Sequence, residues 1–254
     1  MRLEKLSIGY KGKCLVSDLN LSFKPGILNA IIGVNGIGKS TLIKTLSNEI
    51  NALSGSVIID SQELSSISPK ESAKLISVVL TNRAENKFLS VYELIQMGRY
   101  PYLNWLGKLT QKDFEIIEQA LELFSITALR TKKCIELSDG QYQKVLIARA
   151  FVQDTPYILL DEPSTHLDLY HKINLFKTLS DLAKNHQKCI ILSTHEIERS
   201  IELADQMLLL LEKEHHFSSP KDLINKGVFN RIFPSEMVNF NPLTKSFDIN
   251  TLNT

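Results

Sequence analysis

Cysteine is scarce in this chain. Cys14, Cys134 and Cys189 are the only three, an odd number with no CxxC pair. Neither a disulfide framework nor a zinc knuckle is expected, and a reducing cytosol fits. Charge of one sign is lacking as well: 29 basic against 28 acidic residues leave a formal net charge of +1. The bulk charge therefore calls for neither nucleic acid nor an anionic membrane, and no nucleic-acid partner is expected. Long apolar runs are missing. The densest, Met207 to Leu211, is far shorter than the ~20 residues a membrane helix needs. The opening MRLEKLSIGY holds no apolar stretch of signal-peptide length. The chain is not expected to span a bilayer, although it can dock on a protein that does. Internal repeats and low-complexity tracts are not seen either.

What is present is the composition of a globular protein, 43% hydrophobic and 22% charged over 254 residues. A prior of about 150 residues per domain leaves room for one large domain or two modest ones. Residues 1–30 alternate apolar and polar (Leu3, Leu6, Ile8, then Leu19, Leu21, Phe23) around Lys11-Gly12-Lys13 and Lys24-Pro25-Gly26, which reads as antiparallel strands joined by turns. A short apolar run, Ile27 to Ile32, ends in a glycine-rich segment, and a helix follows from Lys39 to about Asn48. Another strand is expected over Ser56 to Asp60.

From Asn82 to Ile135 the pattern turns helical, with Phe114, Ile117, Leu121 and Phe124 recurring every three or four residues. Tyr92, Tyr100, Tyr102 and Trp105 form an aromatic group there, and the stretch reads as an inserted helical lobe. Strands and helices alternate after it. A helix runs from about Gly140 to Val152 and a buried strand from Tyr157 to Leu160. The next helix turns Ile173, Phe176, Leu179 and Leu182 inward, and the strands Cys189 to Ser193 and Gln206 to Leu211 complete the series. The expected fold class is α/β, a parallel sheet covered on both faces. Residues 213–254 are more polar and read as a C-terminal appendix.

Chemistry is concentrated at four places. Gly33-Val34-Asn35-Gly36-Ile37-Gly38-Lys39-Ser40-Thr41 fits GxxxxGK(S/T) after a strand and before a helix. Glycines let successive N–H groups turn inward as an anion nest, and the helix beginning at Lys39 adds its positive end. Lys39 supplies a cation for β- and γ-phosphates, and Ser40 a hydroxyl for Mg²⁺. The apolar run Tyr157 to Leu160 delivers Asp161 and Glu162 at its end. Asp161 suits the magnesium side, and Glu162 is placed to orient or deprotonate an attacking water. His195 follows the apolar run CIILSTH, where an imidazole can donate to a γ-phosphate.

The fourth place is Leu137-Ser138-Asp139-Gly140-Gln141, before the helix QYQKVLIARAFV. With this LSDGQ the sequence resembles the ATP-binding-cassette ATPases, whose signature reads LSGGQ. The resemblance covers about residues 1–212, with the motifs in the family's order. It implies a P-loop NTPase core with an N-terminal antiparallel β subdomain. The core would comprise residues 1–81 and 141–212, the helical signature lobe 82–140 and the appendix 213–254. It further implies that Tyr10 stacks on adenine, that Lys39 and Ser40 hold phosphate and Mg²⁺, and that Asp161 is the magnesium-side carboxylate. Glu162 would be the catalytic glutamate, Thr165-His166-Leu167-Asp168 the dimer-contacting loop and His195 the switch histidine. Asp168 and Ser138 also suit helix N-caps, a role compatible with the first.

In this family the phosphate loop and the signature lie on opposite edges of a subunit. Two copies arranged head-to-tail would therefore sandwich ATP, with Ser138, Gly140 and Gln141 reaching the γ-phosphate held by the other copy. Two positions depart from the family pattern. Thr81 stands where a glutamine normally follows the strand Ile76 to Leu80, offering a shorter oxygen donor to Mg²⁺, and Asp139 replaces a signature glycine. The segment Met97 to Asp113 and DEPSTHLDL resemble the uptake branch for iron–siderophore, haem and cobalamin. The resemblance thus implies a separate membrane permease as partner, a substrate-binding protein acting indirectly, and a place at the cytoplasmic face of the membrane. The aromatic group would line a groove receiving a permease helix. The alternatives are a non-transport ATPase of the same superfamily acting on ribosomes or DNA, or a regulatory subunit with impaired hydrolysis.

Overall fold

The computed structural model describes residues 1–10, 12–80, 88–165, 167–233 and 238–249. The alternating N-terminal segment forms β1 (Arg2–Tyr10) and β2 (Lys13–Ser22), paired antiparallel with Leu3 opposite Leu21 and Tyr10 opposite Lys13. After β3 (Leu28–Ile32) and helix α1 (Lys39–Leu46), β4 (Ser54–Ile59) returns to the other side of β1, with Leu3 opposite Val57. A short β5 (Gln62–Glu63) completes this antiparallel sheet, whose order is β2-β1-β4-β5. The strand expected at Ser56 to Asp60 thus starts and stops earlier. Asp60 instead turns the chain with a left-handed φ of 48°.

Helix α2 (Pro69–Leu75) leads into β6 (Ile76–Val79). The helical lobe holds α3 (Val91–Gln96), α4 (Gln111–Leu123) and the start of α5 (Asp139–Val152). The remaining elements are β7 (Tyr157–Asp161), α6 (Leu169–His186), β8 (Cys189–Ser193), α7 (Ile197–Leu203) and β9 (Gln206–Leu210). Then come β10 (His215–Ser218), α8 (Pro220–Asn225) and a hairpin of β11 (Val238–Asn241) with β12 (Ser246–Ile249).

The central sheet has the order β10-β9-β3-β8-β7-β6, parallel throughout except for β10. Every residue of β3, β7 and β8 is buried, which explains their near-continuous apolar composition: helices or the second sheet cover both faces. Leu28, Ala30 and Ile32 face a core shared with the lobe and α6, while Ile31 faces a core shared with α1 and the antiparallel sheet. Register sets the site. Ser193 lies opposite both Ile31 on β3 and Asp161 on β7. The glycine-rich loop after β3 and the ends of β7 and β8 therefore meet at one carboxyl edge of the sheet.

Several local expectations change. In α4 Ile117 and Leu121 are buried, as is Phe124 at its C-cap, but Phe114 is 37% exposed. Asp113 takes the inward place. Its carboxylate accepts from Arg99 Nε at 2.8 Å and from Thr110 N and Oγ1, while Arg99 Nη1 donates to Val152 O at 2.7 Å. Burial pushes the Asp113 carboxyl up, but the Thr110 and Arg99 hydrogen bonds outweigh it and hold the group below its ordinary value. The aromatic residues do not cluster. Tyr92 lies under the Arg130 guanidinium at 4.2 Å and Tyr102 under that of Arg99 at 3.9 Å. Trp105 is 91% exposed, away from any core. In α6, Phe176, Leu179 and Leu182 are buried as expected, but Ile173 is only half-buried. The C-terminal segment is less separate than its polarity suggests, because β10 extends the central sheet as an antiparallel edge strand against β9.

Candidate functional site

The loop from Gly33 to Gly38 is shaped by three glycines with different reasons. A Cβ on Gly33 would stand 2.7 Å from Leu210 O and 2.8 Å from Ile37 Cγ2, so close approach to β9 requires its absence. Gly36 and Gly38 instead adopt left-handed φ values of 79° and 119°. Gly38 is the N-cap of α1 and packs toward Leu15 and Val16 of β2, so the antiparallel sheet flanks the loop. Asn35 is exposed on the loop, Ser40 is exposed in the first helical turn, and Thr41 is buried beneath it. Lys39 is only 5% exposed. Its ammonium donates to Gly33 O at 2.9 Å and Val34 O at 3.3 Å, with Glu162 Oε1 at 3.6 Å.

At the end of β7 two consecutive carboxylates diverge. Asp161 is buried, and its Oδ1 accepts from Ser40 Oγ at 2.9 Å and Ser193 Oγ at 2.5 Å. Glu162 takes a left-handed φ of 50°, an unfavourable conformation for a residue with a Cβ. Its backbone is held by three bonds: the N–H donates to Ser193 O at 3.1 Å and to Ser193 Oγ at 3.0 Å, and the carbonyl accepts from Thr165 N–H at 3.2 Å. The turn sends the Glu162 carboxylate away from Asp161 and toward His195, whose Nδ1 lies 2.8 Å from Oε2. His195 Nε2 is 3.5 Å from Glu196 Oε1, and the same oxygen accepts from Lys172 Nζ at 2.5 Å. One edge of the sheet thus gathers a cation, an exposed hydroxyl beside a buried carboxylate, and a carboxylate–imidazole pair.

The signature segment forms a second group. Ser138 caps α5 with a reciprocal capping box: Gln141 N donates to Ser138 Oγ at 3.3 Å and Ser138 N to Gln141 Oε1 at 3.1 Å. The capping role thus holds for both Ser138 and Asp168, since Asp168 caps α6 by accepting from His171 N at 2.9 Å. Gly140 is buried directly beneath the His171 ring. Tyr10 ends β1, 46% exposed, on the hairpin that flanks the phosphate loop. Thr81 and His166 lie outside the described residues.

Ser193 and His171 are the residues that sequence reasoning did not single out. Ser193 ends an apolar run and looks like strand filler; only the β7–β8 register reveals that it faces Asp161. His171 is three residues beyond Asp168, a spacing that could have flagged a side chain reaching back to a helix cap. Among the described residues no group of three or more His, Cys, Asp or Glu converges as a metal site. No described helix is long and apolar enough to cross a membrane.

Comparison with known proteins identifies the family and the fold. The family model described as ABC transporter matches residues 16–165. The ferric enterobactin transport ATP-binding protein FepC of Escherichia coli K12 is 32% identical over 92% of this chain and 86% of its own length. The iron(3+)-hydroxamate import ATP-binding protein FhuC of Bacillus subtilis is 34% identical over 82% of this chain and 77% of its own length. Among solved structures, cbiO1 of Clostridium perfringens, part of the ABC transporter complex cbiONQ, superposes with a TM-score of 0.79 at 26% identity. It covers 91% of this chain and 92% of its own.

Proposed function

This chain belongs to the ABC transporter family, and from that premise we propose that it is the ATP-hydrolysing subunit of an importer. It would power uptake of an iron chelate, haem or cobalamin through a separate membrane permease, with a substrate-binding protein upstream. Ferric enterobactin transport by FepC and iron(3+)-hydroxamate import by FhuC, both iron chelates, support the cargo class. We read residues 1–81 and 141–212 as the nucleotide core, 82–140 as the signature lobe and 213–254 as the appendix.

One observation carries the reading. Lys39, Ser40, Asp161, Glu162 and His195 lie at or just beyond the ends of three parallel strands and meet at one edge through direct contacts. In this scheme Lys39 leaves the carbonyls of Gly33 and Val34 for the β- and γ-phosphates, a charge-assisted exchange that favours the triphosphate. The N–H groups of Gly36 and Gly38 and the positive end of α1 add to the cradle, and Tyr10 stacks on the base. Ser40 and Asp161 offer only oxygen donors, which fits a hard divalent cation that takes few protein ligands and several phosphate or water oxygens. Ser40 and Asp161 would hold Mg²⁺ there, which would supply positive charge against the phosphoryl oxygens. Glu162, with one carboxylate oxygen fixed by His195, accepts the proton of the attacking water, and His195 faces the γ-phosphate.

The signature group completes the site from a second copy. Ser138, Gly140 and Gln141 at the N-terminus of α5, together with Asp168, close on the triphosphate held by the partner's loop. ATP joins two copies and its cleavage releases them. The chain would sit at the cytoplasmic face through its permease. The test is Glu162→Gln, an isosteric loss of the base. Turnover should fall at least about 100-fold, the scale of general-base catalysis, while ATP binding persists. Turnover near the parent rate would remove Glu162 from this role.

A further inference from the structure

The first turn of α6 brings one side chain against both halves of the signature group. Asp168, the N-cap, accepts two hydrogen bonds from His171: the backbone N–H at 2.9 Å and ring Nδ1 at 2.8 Å. These bonds, the backbone one first, hold the Asp168 carboxyl below its ordinary value, so it is an acceptor and Nδ1 carries the hydrogen. The ring is thereby fixed in orientation. Its far edge rests on Gly140: a Cβ built there would lie 2.3 Å from His171 Cδ2 and 2.8 Å from Nε2. Beneath the ring, Leu167, Leu175, Phe124 and Ile147 line the same seam between α5 and α6. The second glycine of LSDGQ therefore has an explanation inside the subunit. Any side chain at residue 140 would evict the imidazole.

We propose that His171 is a positioning residue that locks the N-terminus of α5 to the Asp168 loop, so that the two present themselves to the partner's nucleotide as one rigid unit. This rests on the reading of the chain as an ATP-sandwiching cassette. Ser138 and Gln141 aim at the partner's triphosphate from α5, while Asp168 approaches from α6. Without the strut each element can seat only by ordering independently, and the ordering cost falls on dimer closure. His171 is bonded to the signature side of its own chain, so its loss should spare ATP binding to that chain's own phosphate loop and weaken closure alone.

The experiment measures ATP- and Mg²⁺-driven dimerisation of the full chain by sedimentation in a Glu162→Gln background. A fluorescent ATP analogue reports nucleotide affinity at protein concentrations where the chain is monomeric. His171→Ala should weaken the dimer about tenfold, within the usual range for coupled contacts, and leave monomer nucleotide affinity unchanged. His171→Asn keeps a donor at the Nδ1 position but not the ring edge on Gly140, and should recover part of the loss. Gly140→Ala should weaken the dimer strongly in the parent and much less when His171 is already alanine, because both remove the same contact. Equal dimerisation with and without His171, or losses from Gly140→Ala and His171→Ala that simply multiply, would overturn the strut. Failure of the parent Glu162→Gln chain itself to dimerise with ATP would instead overturn the cassette reading.

Discussion

Ser193→Ala isolates one hydroxyl that serves two consecutive carboxylate residues. Ser193 is fully buried; its Oγ donates to Asp161 Oδ1 at 2.5 Å and accepts from Glu162 N–H at 3.0 Å. The substitution removes about one methyl-sized polar group and leaves the strand's apolar packing in place. Glu162 N–H keeps Ser193 O at 3.1 Å and Glu162 O keeps Thr165 N–H at 3.2 Å, so the left-handed turn loses one of its three restraints. Asp161 keeps Ser40. The main loss is thus one charge-assisted hydrogen bond to a buried carboxylate, about 1.5–3 kcal/mol. If Asp161 holds the metal as proposed, losing a group that orients it should change metal affinity or activity by about 10–100-fold. Denaturant unfolding at neutral pH reads the first quantity, and the free Mg²⁺ giving half-maximal ATPase reads the second. Both should move, the Mg²⁺ requirement upward. A variant with parent stability and parent Mg²⁺ dependence would refute the claim that Ser193 holds Asp161.

Two further outcomes follow from packing and charge. Asp113→Asn leaves Arg99 buried without its carboxylate and should destabilise the fold by about 3–5 kcal/mol at neutral pH, read by denaturant unfolding. Because the folded-state value of Asp113 is depressed below 3.8, its contribution is fully present above that pH and is lost as pH falls through the lower folded value, so the parent should shed this share of stability only in strong acid and the variant should not. Gly33→Ala forces a Cβ to 2.7 Å from Leu210 O and should cost about 1–3 kcal/mol as overpacking, seen as a lowered Tm; an unchanged Tm would contradict the close approach.

The elements that carry chemistry were legible because each has a local pattern. An apolar strand, a glycine loop and a helix opening with Lys39-Ser40 are contiguous, and Asp161, Glu162 and His195 each end an apolar run. Ser138 and Asp168 were readable as caps for the same reason. What could not be read depends on pairing between distant segments. Ser193 acquires its role only from the β7–β8 register, and His171 only from the packing of α6 on α5. The Arg99–Asp113 pair joins residues on either side of a loop, and it displaced Phe114 from the face that helical spacing assigned to it. Nearness in sequence misled for the aromatic residues, since Tyr92 and Tyr102 each found a guanidinium instead of one another. Strand β10 was hidden for a physical reason as well: all four of its residues are half-buried, so the chain shows no alternation there.

The central claim is that each working site takes its phosphate loop from one copy and its signature from the other. Complementation between two disabled chains tests it directly. Lys39→Ala spoils the loop but leaves the signature; Ser138→Arg spoils the signature but leaves the loop. Neither variant alone should hydrolyse ATP. Mixed together with the permease, they should regain turnover, because one of the two sites in a head-to-tail pair then joins an intact loop to an intact signature. A mixture as silent as its components would contradict the account.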